Sequence, residues 1–540
     1  MNKKWELINV DEDEAIKIAS KFNISKLVAK AIVNKGLNSD DEIEVFLSPR
    51  RGDFHDPFLM PDMEKAVDRV VKAIQNKEKV TIFGDYDVDG ITSSSILHRF
   101  LKECGLETKI YIPNRITEGY GLNENAVRKI AEEGTSLIIT VDCGITGIEE
   151  VKLAKSLGID TVVTDHHETG EVLPEAVAVV DCKRKDNTYP FNGLAGCGVA
   201  FKLAQGISKR LELPEEKALK YLDIVCVGTI SDIVPLEDEN RTISKLGLRL
   251  LNQTKNPGLK ALIESTGYKK IDSTAVSFGL APRINACGRM GHEDEALKLF
   301  LTDNLDEARN LTIKLNEYNT QRQDIEKQIF KEAQVMMENK QEQELPYMYS
   351  KPSLLLCFEG EDAKGSGRSV QGFDLHEALE NCKENIKQFG GHSMAVGLTI
   401  ESKKFNEFKK SLENYAKKMK VDSIVPIIKI DQKIAMGEIS IQDIKSLELL
   451  EPYGEANKMP IFQINNVKIE SIRTLSEGKH LKLTVKDENR RIDCIGFNLG
   501  NLATDYPIGS KIDIIGNLEI NEFRGIENIQ VNLKDIRHSI

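Results

Sequence analysis

No stretch of the 540-residue sequence approaches the run of about 18 apolar residues that a membrane-spanning helix requires. The nine cysteines are scattered singly, without a CxxC pair, which argues against both a disulfide framework and a zinc knuckle. The opening residues, MNKKWELINVDEDEA, contain no apolar segment of the kind found in signal peptides. These absences predict a cytoplasmic protein with no membrane interaction.

The chain also has no excess of positive charge, because it contains 73 Lys and Arg but 85 Asp and Glu, which gives a net charge of −12. This disfavours a protein coated in basic residues, but a local basic groove on an acidic body is compatible with nucleic acid. With 40% hydrophobic and 29% charged residues, a chain of this length predicts a globular protein of about two to four domains.

Strand-like runs alternate with helical stretches, which predicts a parallel, doubly wound α/β sheet. The runs are VTIF (80–83), LIITV (137–141), DTVVT (160–164) and AVAVV (176–180). Ligands bind at the carboxyl ends of the strands in such sheets, so the polar side chains that follow these runs should converge. They are Asp85, Asp87, Asp89, Asp142, Asp165, His166, His167 and Asp181.

The segment GDYDVDG (84–90) begins like an EF-hand calcium loop, but the glutamate that such a loop needs after its glycine would fall at Ile96. With Asp232, the strand-end residues instead form an oxygen-rich set with imidazoles, which suits Mn²⁺ or Mg²⁺, most naturally as a pair of ions. The alternative is that each aspartate caps a helix. Clustered carboxylates repel one another, however, so a cation is expected among them.

The rest of the chain predicts further domains. Residues 302–345 lack proline and glycine and show helical spacing, which predicts a helix of about 60 Å linking two bodies. A second α/β pattern follows Pro346, and short alternating strands from Val425 predict an OB-like β-barrel. The predicted domains are a helical extension (1–60), an α/β domain (61–302), the connecting helix (303–345), a second α/β domain (346–424) and the barrel (425–540).

The segments DYDVDG, VDCGI, TDHH and GTISDIVPL resemble, in that order, the four motifs of the DHH phosphoesterase superfamily. Within it, the chain resembles the RecJ family of single-strand-specific exonucleases over nearly its whole length. This resemblance implies DHH-type and DHHA1-type lobes joined by the long helix. It is carried by PNRITEGYG (113–121), LAGCGVAFKL (194–203), APRINACGRMG (281–291), KGSGRS (364–369), FGGHSMA (389–395) and LLEPYGEAN (449–457).

The resemblance also implies roles for the strand-end residues. One metal ion would be held by Asp89, Asp142, His166 and Asp232, and the other by Asp87 and Asp142 with Asp85 nearby. His167 would act at the scissile phosphate, oriented by Asp165. Asp223 competes with Asp232 for the fourth motif, although GTISDIVPL favours Asp232. Asp181 and Cys182 stand where the family pattern has Asn and Pro, which predicts a local difference in geometry.

The resemblance implies that Ser366 and Arg368, with Arg115, bind phosphate near the 5′ end of the strand, and Ser369 and His392 are further candidates. Arg283 and Arg289 bring two guanidiniums close together, an arrangement that suits phosphate. Alone, KGSGRS could be a surface turn, the arginine pair a structural salt bridge and His392 a buried core residue. Residues 464–486 contain five basic residues and only two acidic ones, Glu470 and Glu477. The basic residues are Lys468, Arg473, Lys479, Lys482 and Lys486. Lys479 and Lys482 are therefore candidate DNA contacts, unless the segment is simply a solvated face.

We therefore expect a metal-dependent exonuclease that degrades single-stranded DNA 5′→3′ to 5′-mononucleotides in DNA repair and recombination. The polarity comes from the resemblance alone. Two alternatives are a DHH phosphodiesterase acting on short RNA or cyclic dinucleotides, and a non-catalytic single-strand-binding subunit. A single-strand-binding protein and a helicase are candidate partners, and a monomer is favoured.

Overall fold

The structure is a computed structural model that describes residues 3–338, 352–488 and 490–539. The chain divides into two compact units. The small unit comprises Met1–Asn9, Gln328–Ile434 and Ile461–Ile464, and the large unit comprises Val10–Lys327, Ala435–Pro460 and Asn465–Ile540. No helix in the described ranges is long and apolar enough to cross a membrane.

The strands, in chain order, are β1 (Lys4–Leu7), β2 (Val80–Gly84), β3 (Thr108–Tyr111), β4 (Leu137–Val141), β5 (Asp160–Asp165), β6 (Ala178–Asp181), β7 (Ser353–Glu359), β8 (Asp362–Arg368), β9 (Gln388–His392), β10 (Ala395–Glu401), β11 (Ile427–Ile430), β12 (Gln432–Lys433), β13 (Phe462–Leu475), β14 (His480–Lys486), β15 (Arg491–Gly496), β16 (Lys511–Phe523) and β17 (Ile526–His538).

The α-helices are α1 (Glu12–Phe22), α2 (Lys26–Asn34), α3 (Asp40–Leu47), α4 (Met63–Asn76), α5 (Val88–Glu103), α6 (Glu124–Glu132), α7 (Ile148–Ser156), α8 (Gly196–Arg210), α9 (Glu216–Leu219), α10 (Leu222–Ser231), α11 (Asp238–Leu251), α12 (Pro257–Thr266), α13 (Ala281–Arg289), α14 (Glu293–Leu301), α15 (Leu305–Glu338), α16 (Leu375–Glu380), α17 (Phe405–Lys418) and α18 (Ile441–Ser446). A π-helical turn, Ala275–Leu280, precedes α13.

A parallel five-stranded sheet with the order β3-β2-β4-β5-β6 forms the centre of the large unit. Strands β2, β4 and β6 are buried along their whole length, and β5 from its second residue, because both faces of the sheet are covered there, whereas β3 is only partly buried. Ile82 and Ile139 join the core formed with α4, α5 and α8, whereas their neighbours Phe83 and Ile138 join a separate core with α6. The carboxyl ends of β2, β4, β5 and β6 therefore open at one edge, as the alternation of runs predicted.

The C-terminal strands form a closed barrel, which confirms the OB-like prediction. Hydrogen bonds link the strands in the order β13-β14-β15-β17-β16, and β16 pairs back onto β13. Alternate residues of β14, including Leu481, Leu483 and Val485, are buried inside. A register shift between Ile515 and Gly516 bends β16, and a Cβ at Gly516 would lie 2.4 Å from Asn532 O. Closure of this kind removes free strand edges.

The small unit contains an antiparallel sheet with the order β7-β8-β10-β9. Its core packs Phe373 and Leu379 against Phe408 of α17 and Ile400 of β10. The predicted connecting helix over 303–345 overlaps α15, and its residues 339–345 lie outside the described part of the chain. The two α/β lobes, the long helix and the barrel confirm the predicted fold class, whereas the exact domain limits stay predictions.

Candidate metal centre

Side chains from four elements of the large unit meet at the carboxyl edge of the parallel sheet. Asp85 follows β2, Asp142 follows β4, His166 follows β5, and Asp232 caps the carboxyl end of α10. Three groups have ligand atoms that all lie within 4.8 Å of one another. They are Asp85, Asp87 and Asp142; Asp89, His166 and Asp232; and Asp142, His166 and His167.

His166 lies at the centre of this cluster. Its Nε2 atom is 3.1 Å from Asp142 Oδ1, 3.6 Å from Asp232 Oδ2 and 3.8 Å from Asp89 Oδ2. Burial outweighs these negative charges and lowers the pKa of His166 to about 4. The imidazole is therefore neutral at physiological pH, and a neutral ring nitrogen with a lone pair is a good metal ligand.

The carboxyl groups lie so close together that the negative charge of each one disfavours ionisation of its neighbours. Burial, reinforced by the charge of Asp87, raises the pKa of Asp85 to about 8. Burial and the neighbouring carboxylates also raise the pKa of Asp142 and Asp232 well above the usual range. Within the described residues, the buried atoms Asp85 Oδ1, His166 Nδ1 and His166 Nε2 make no hydrogen bond. Such a set fits divalent cations, which would offset the repulsion and use the unpartnered atoms.

Close backbone packing brings the ligands together, and only glycine fits at several of these positions. A Cβ at Gly196 would lie 2.6 Å from the Cβ of Asp142, and one at Gly90 would lie 2.4 Å from Asp85 O. At the start of α8, the amides of Gly196 and Cys197 donate to the two carboxylate oxygens of Asp89, at 2.6 and 2.9 Å. The sequence prediction missed this helix terminus, although the segment LAGCG was a signal for it.

The alternative that strand-end aspartates cap helices holds for Asp87, whose Oδ1 accepts the amide of Gly90 at 3.0 Å at the start of α5. Asp87 also belongs to a possible metal-binding group, so the two roles coexist. Asp223 does not join the cluster, because its carboxylate accepts hydrogen bonds from Thr254 and from the amide of Ile224. Asp232 is the carboxylate that lies beside His166.

His167 and Asp165 form a pair next to the cluster. Nδ1 of His167 lies 2.7 Å from Asp165 Oδ1, and the amide of Ile145 donates to Asp165 Oδ2 at 2.9 Å. Burial alone would lower the pKa of His167, but the hydrogen bond to Asp165 and its charge raise that pKa to about 9. His167 therefore carries a positive charge at neutral pH. The hydroxyl of Tyr120 lies 3.2 Å from His167 Nδ1, a contact that the sequence prediction missed inside PNRITEGYG.

Asp181 ends β6 directly opposite Asp165 in the sheet register. Its Oδ1 accepts the amide of Lys183 at 2.7 Å, and burial raises the pKa of Asp181 to about 7. It belongs to none of the metal-binding groups among the described residues. The Sγ atom of the following Cys182 points to Asn192 O at 3.2 Å.

The predicted phosphate-binding residues of the large unit separate into two environments. The guanidinium of Arg115 lies 5.1 Å from the centroid of the Tyr86 ring. Burial and the charge of Asp85 raise the pKa of Tyr86 to about 12, and the charges of Arg115 and Arg289 oppose this rise. Arg283 instead donates to Asn316 Oδ1 and Gly279 O, so it ties α13 to α15 and to the preceding turn.

The other predicted phosphate-binding residues lie in the small unit. Ser366 and Arg368 belong to β8, and His392 ends β9. Arg368 and His392 both pair with Ala395, from opposite sides of β10. Ser369 donates its hydroxyl to Phe373 O at 2.6 Å, which stabilises the turn after β8. In the barrel, Lys482 of β14 lies opposite Arg473 of β13, and Lys479 precedes β14.

Comparisons with known proteins agree with the domains of this fold. The DHH family, N-terminal domain, matches residues 79–229, the DHHA1 domain matches 333–418 and the RecJ OB domain matches 430–535. The fold and the carboxylate–imidazole site thus define a DHH-family protein.

Relatives over nearly the whole chain narrow the assignment. The single-stranded-DNA-specific exonuclease RecJ of Bacillus subtilis is 37% identical over 98% of this chain and 70% of its own length. The RecJ exonuclease of Salmonella typhimurium is 30% identical over 88% of this chain and 90% of its own. The crystal structure of Thermus thermophilus RecJ with Mn²⁺ matches with a TM-score of 0.83, at 26% identity, and covers 99% of this chain and 80% of that one. The chain belongs to the RecJ family.

Proposed function

We propose that the protein is a metal-dependent exonuclease that degrades single-stranded DNA and acts in DNA repair and recombination. The observation that carries the proposal is the group of buried carboxylates around the unpartnered, neutral His166. The relatives from Bacillus subtilis and Salmonella typhimurium, which match 98% and 88% of this chain, are named as single-stranded-DNA-specific exonucleases. Intact ligand positions argue against a purely binding subunit, since clustered buried carboxylates are costly without a cation.

The ligand set fits two divalent ions, and Thermus thermophilus RecJ has been crystallised with Mn²⁺ and with Mg²⁺. Asp89, Asp142, His166 and Asp232 would hold one ion, and Asp85, Asp87 and Asp142 the other. Bound there, such ions would bridge the scissile phosphate, lower the pKa of an attacking water and stabilise the departing oxygen.

The protein side chains supply orientation and charge. His167, protonated at neutral pH, donates from its ring to an oxygen of the scissile phosphate as negative charge develops. Asp165 accepts the Nδ1 proton and holds the ring, so that the other nitrogen faces the substrate. The amides at the start of α8 fix the carboxylate of Asp89.

We further propose that hydrolysis proceeds 5′→3′ and releases 5′-mononucleotides. Cationic and hydroxyl-bearing side chains would bind the terminal 5′-phosphate, and the barrel would hold the incoming strand along Lys479 and Lys482. Arg283 contributes indirectly, since it positions α13, which carries Arg289. Of the proposed phosphate-binding residues, Arg115 and Arg289 belong to the large unit, and Ser366, Arg368, Ser369 and His392 belong to the small unit.

A monomer in the cytoplasm that works with a helicase and a single-strand-binding protein is the setting we propose for this activity. A phosphodiesterase specific for dinucleotides is a weaker candidate, because the RecJ OB domain at 430–535 offers a longer track than a dinucleotide needs.

The test uses a single-stranded DNA labelled at its 5′ end and, separately, at its 3′ end, incubated with the full-length protein in Mn²⁺ or EDTA. We expect the 5′ label to leave at once as a mononucleotide while the 3′-labelled strand shortens progressively, only with metal. Asp142→Ala should abolish both reactions. Cleavage of dinucleotides with survival of long DNA would favour the phosphodiesterase, and retention without cleavage would favour a binding subunit.

A further inference from the structure

A groove of about 420 Å³ opens directly beside the metal centre, within the large unit. Its lining includes Ser231 and Ile233, the residues on either side of Asp232, so both lie one Cα–Cα step of about 3.8 Å from a proposed metal ligand. Leu236, Phe278, Arg289, Arg322 and Glu455 also line the groove. A volume of this size lies within the about 300–1,000 Å³ of typical small-ligand pockets.

Two large apolar side chains stand exposed at this groove. Ile233 is 71% exposed and Phe278 is 75% exposed, which places both among the most solvent-exposed large hydrophobic residues described. Neither side chain contributes to the hydrophobic core. Exposed apolar groups beside a catalytic site point to contact with a ligand rather than to folding.

The backbone carrying both residues is unusual. Ile233 has a φ of 62°, and a β-branched residue is rarely found in this left-handed region because its side chain is strained there. Phe278 lies in the π-helical turn Ala275–Leu280, a rare conformation that often occurs at functional sites. Asparagine or glycine would suit position 233 better for stability alone. The protein therefore has an apolar side chain at position 233 even though its backbone conformation there is strained.

The groove also carries charge suited to a nucleic-acid backbone. Arg289 of α13 and Arg322 of α15 line the groove, and so does Glu455, whose backbone carbonyl accepts a hydrogen bond from the amide of Leu236. Arg322 also contacts Asn319 and Glu326. The groove thus has cationic side chains, Arg289 and Arg322, next to the apolar side chains of Ile233 and Phe278.

Arg289 connects the groove with the metal-binding loop. The preceding Gly288 packs so closely on Tyr86 that a Cβ there would lie 2.6 Å from Tyr86 O. Asn285, which also lines the groove, accepts the amide of Val88 through its Oδ1 at 3.3 Å. The groove wall and the Asp85–Asp89 loop therefore form one connected structure.

We propose that this groove binds one unpaired nucleobase of the substrate strand, next to the scissile phosphate, with Phe278 and Ile233 as its stacking platform. The inference rests on the proposed exonuclease function and deepens it. Phosphates on either side of the base lie toward Arg289 and Arg322. A base in this groove cannot remain paired to a complementary strand, so the platform contributes to selection of single strands. Stacking of a base on an aromatic ring tolerates any sequence.

The test measures kcat and KM for the full-length protein with Mn²⁺ on single-stranded DNA carrying one abasic residue at successive positions from the 5′ end. For the unchanged protein, an abasic residue at one position should raise KM about 10-fold, the loss of one stacked base. Phe278→Ala should raise KM about 10-fold on intact DNA with kcat little changed, because the contact is uniform through the reaction. The KM of this variant should not change when an abasic residue is placed at that position. Phe278→Trp should restore both the low KM on intact DNA and the sensitivity to the abasic residue.

Ile233→Asn provides a second, independent variant. It should keep or raise the midpoint of thermal unfolding, because asparagine tolerates φ near 60°, and yet raise KM for DNA. Phe330→Ala is the matched control, since Phe330 is an exposed phenylalanine of α15 that is not among the residues lining the groove. It should leave the response to abasic residues unchanged.

The outcomes separate the two proposals. If single-stranded DNA is shortened but Phe278→Ala retains the KM and the abasic profile of the unchanged protein, the inference is overturned and the exonuclease function stands. A groove that serves a protein partner instead would give this same result. If the unchanged protein does not shorten single-stranded DNA at all, both proposals are wrong.

Discussion

Asp165 and His167 form a 2.7 Å contact between a buried carboxylate oxygen and a ring nitrogen, at the end of β5. The adjacent His166 has a depressed pKa of about 4, whereas the pKa of His167 is raised to about 9. Two neighbouring histidines therefore differ in charge at neutral pH. The neutral one can bind a metal ion and the charged one can contact a phosphate.

Replacing Asp165 should convert His167 from the charged imidazolium to the neutral imidazole at neutral to slightly alkaline pH. In Asp165→Asn the negative charge is lost, burial then lowers the pKa of His167, and the imidazolium is no longer populated at pH about 8. We expect kcat there to fall about 100-fold, the usual loss for one donor to a developing charge, with partial recovery toward acidic pH.

The measurement is kcat for single-stranded DNA as a function of pH. Asp160→Asn, at the opposite end of the same strand, is the control and should keep the original profile. An Asp165→Asn profile with the same alkaline limb as the unchanged protein would contradict the assigned role.

Adding a methyl group at Gly196 should disrupt the metal centre, because the new Cβ would lie 2.6 Å from the Cβ and 2.8 Å from Oδ1 of Asp142. We expect Gly196→Ala to bind Mn²⁺ at least about 10-fold more weakly, since displaced ligands commonly cost 10- to 100-fold in affinity. Titration calorimetry would measure this. Gly52→Ala, where nothing lies within 4 Å of the added Cβ, should bind like the unchanged protein, and equal affinity for the two variants would refute the steric argument.

The metal-free protein should become less stable as pH rises from about 4 to about 8. In this window the folded state keeps Asp85 protonated, with a pKa of about 8, while the unfolded chain has released that proton. The unfolded state therefore binds fewer protons, and the free energy of unfolding falls with pH. The raised pKa values of Asp142 and Asp232 act in the same direction and outnumber His166, whose pKa of about 4 opposes the trend below about pH 6.5.

Divalent metal should reverse this trend, because it binds the deprotonated carboxylates. We expect the gain in unfolding midpoint on adding Mn²⁺ to the EDTA-treated protein to be larger at pH about 8 than at pH about 5. Differential scanning calorimetry measures it, with Asp142→Asn as the comparison. An equal gain at both pH values would show that the carboxyls are not protonated in the metal-free state.

The two side chains of a buried ion pair between α8 and α11, Lys202 and Glu239, should be strongly coupled in their effect on stability. Lys202 Nζ donates to Glu239 Oε1 at 2.8 Å and to His55 O at 2.6 Å, and both ionised side chains are fully buried. Lys202→Met leaves the carboxylate uncompensated, which typically costs about 3–5 kcal/mol. Adding Glu239→Gln should recover part of this loss.

Thermal unfolding of the single and double variants measures the coupling. Lys65→Met, which removes an exposed partner of Asp62, should change stability by less than about 1 kcal/mol. Strictly additive losses in Lys202→Met and Glu239→Gln would show that the pair is not coupled.

The barrel should contribute a salt-dependent part of DNA binding. If Lys479 and Lys482 each contact a phosphate, replacing both with alanine should reduce the slope of log affinity against log salt by about 1.4, at about 0.7 per single-strand contact. Fluorescence anisotropy with the Asp142→Ala background would measure this without cleavage. Lys72→Ala, on helix α4, is a control that removes one lysine outside the barrel and should leave the slope unchanged. An unchanged slope in the double variant would place the strand elsewhere.

Much of this architecture could be predicted from local sequence. The run 137–141 coincides with β4, and the runs at 80–83 and 160–164 each fall one residue short of β2 and β5. Burial on both faces of a parallel sheet leaves a continuous apolar run in the chain, and the acids that interrupt it mark the strand end. The strand β3 was missed, since its residues TKIY are only partly buried and mix polar with apolar side chains.

The sequence by itself determined which residue types reach the carboxyl edge of the sheet, because strand ends and their polar residues are local properties of the chain. Only the tertiary structure decided which groups these residues contact. Arg283 donates a hydrogen bond to Asn316, and the amides of Gly196 and Cys197 donate to Asp89. The tertiary structure also held Ile233 in a left-handed conformation beside the metal centre. These features arise from contacts between residues far apart in the chain, whose geometry is set by packing rather than by local preference.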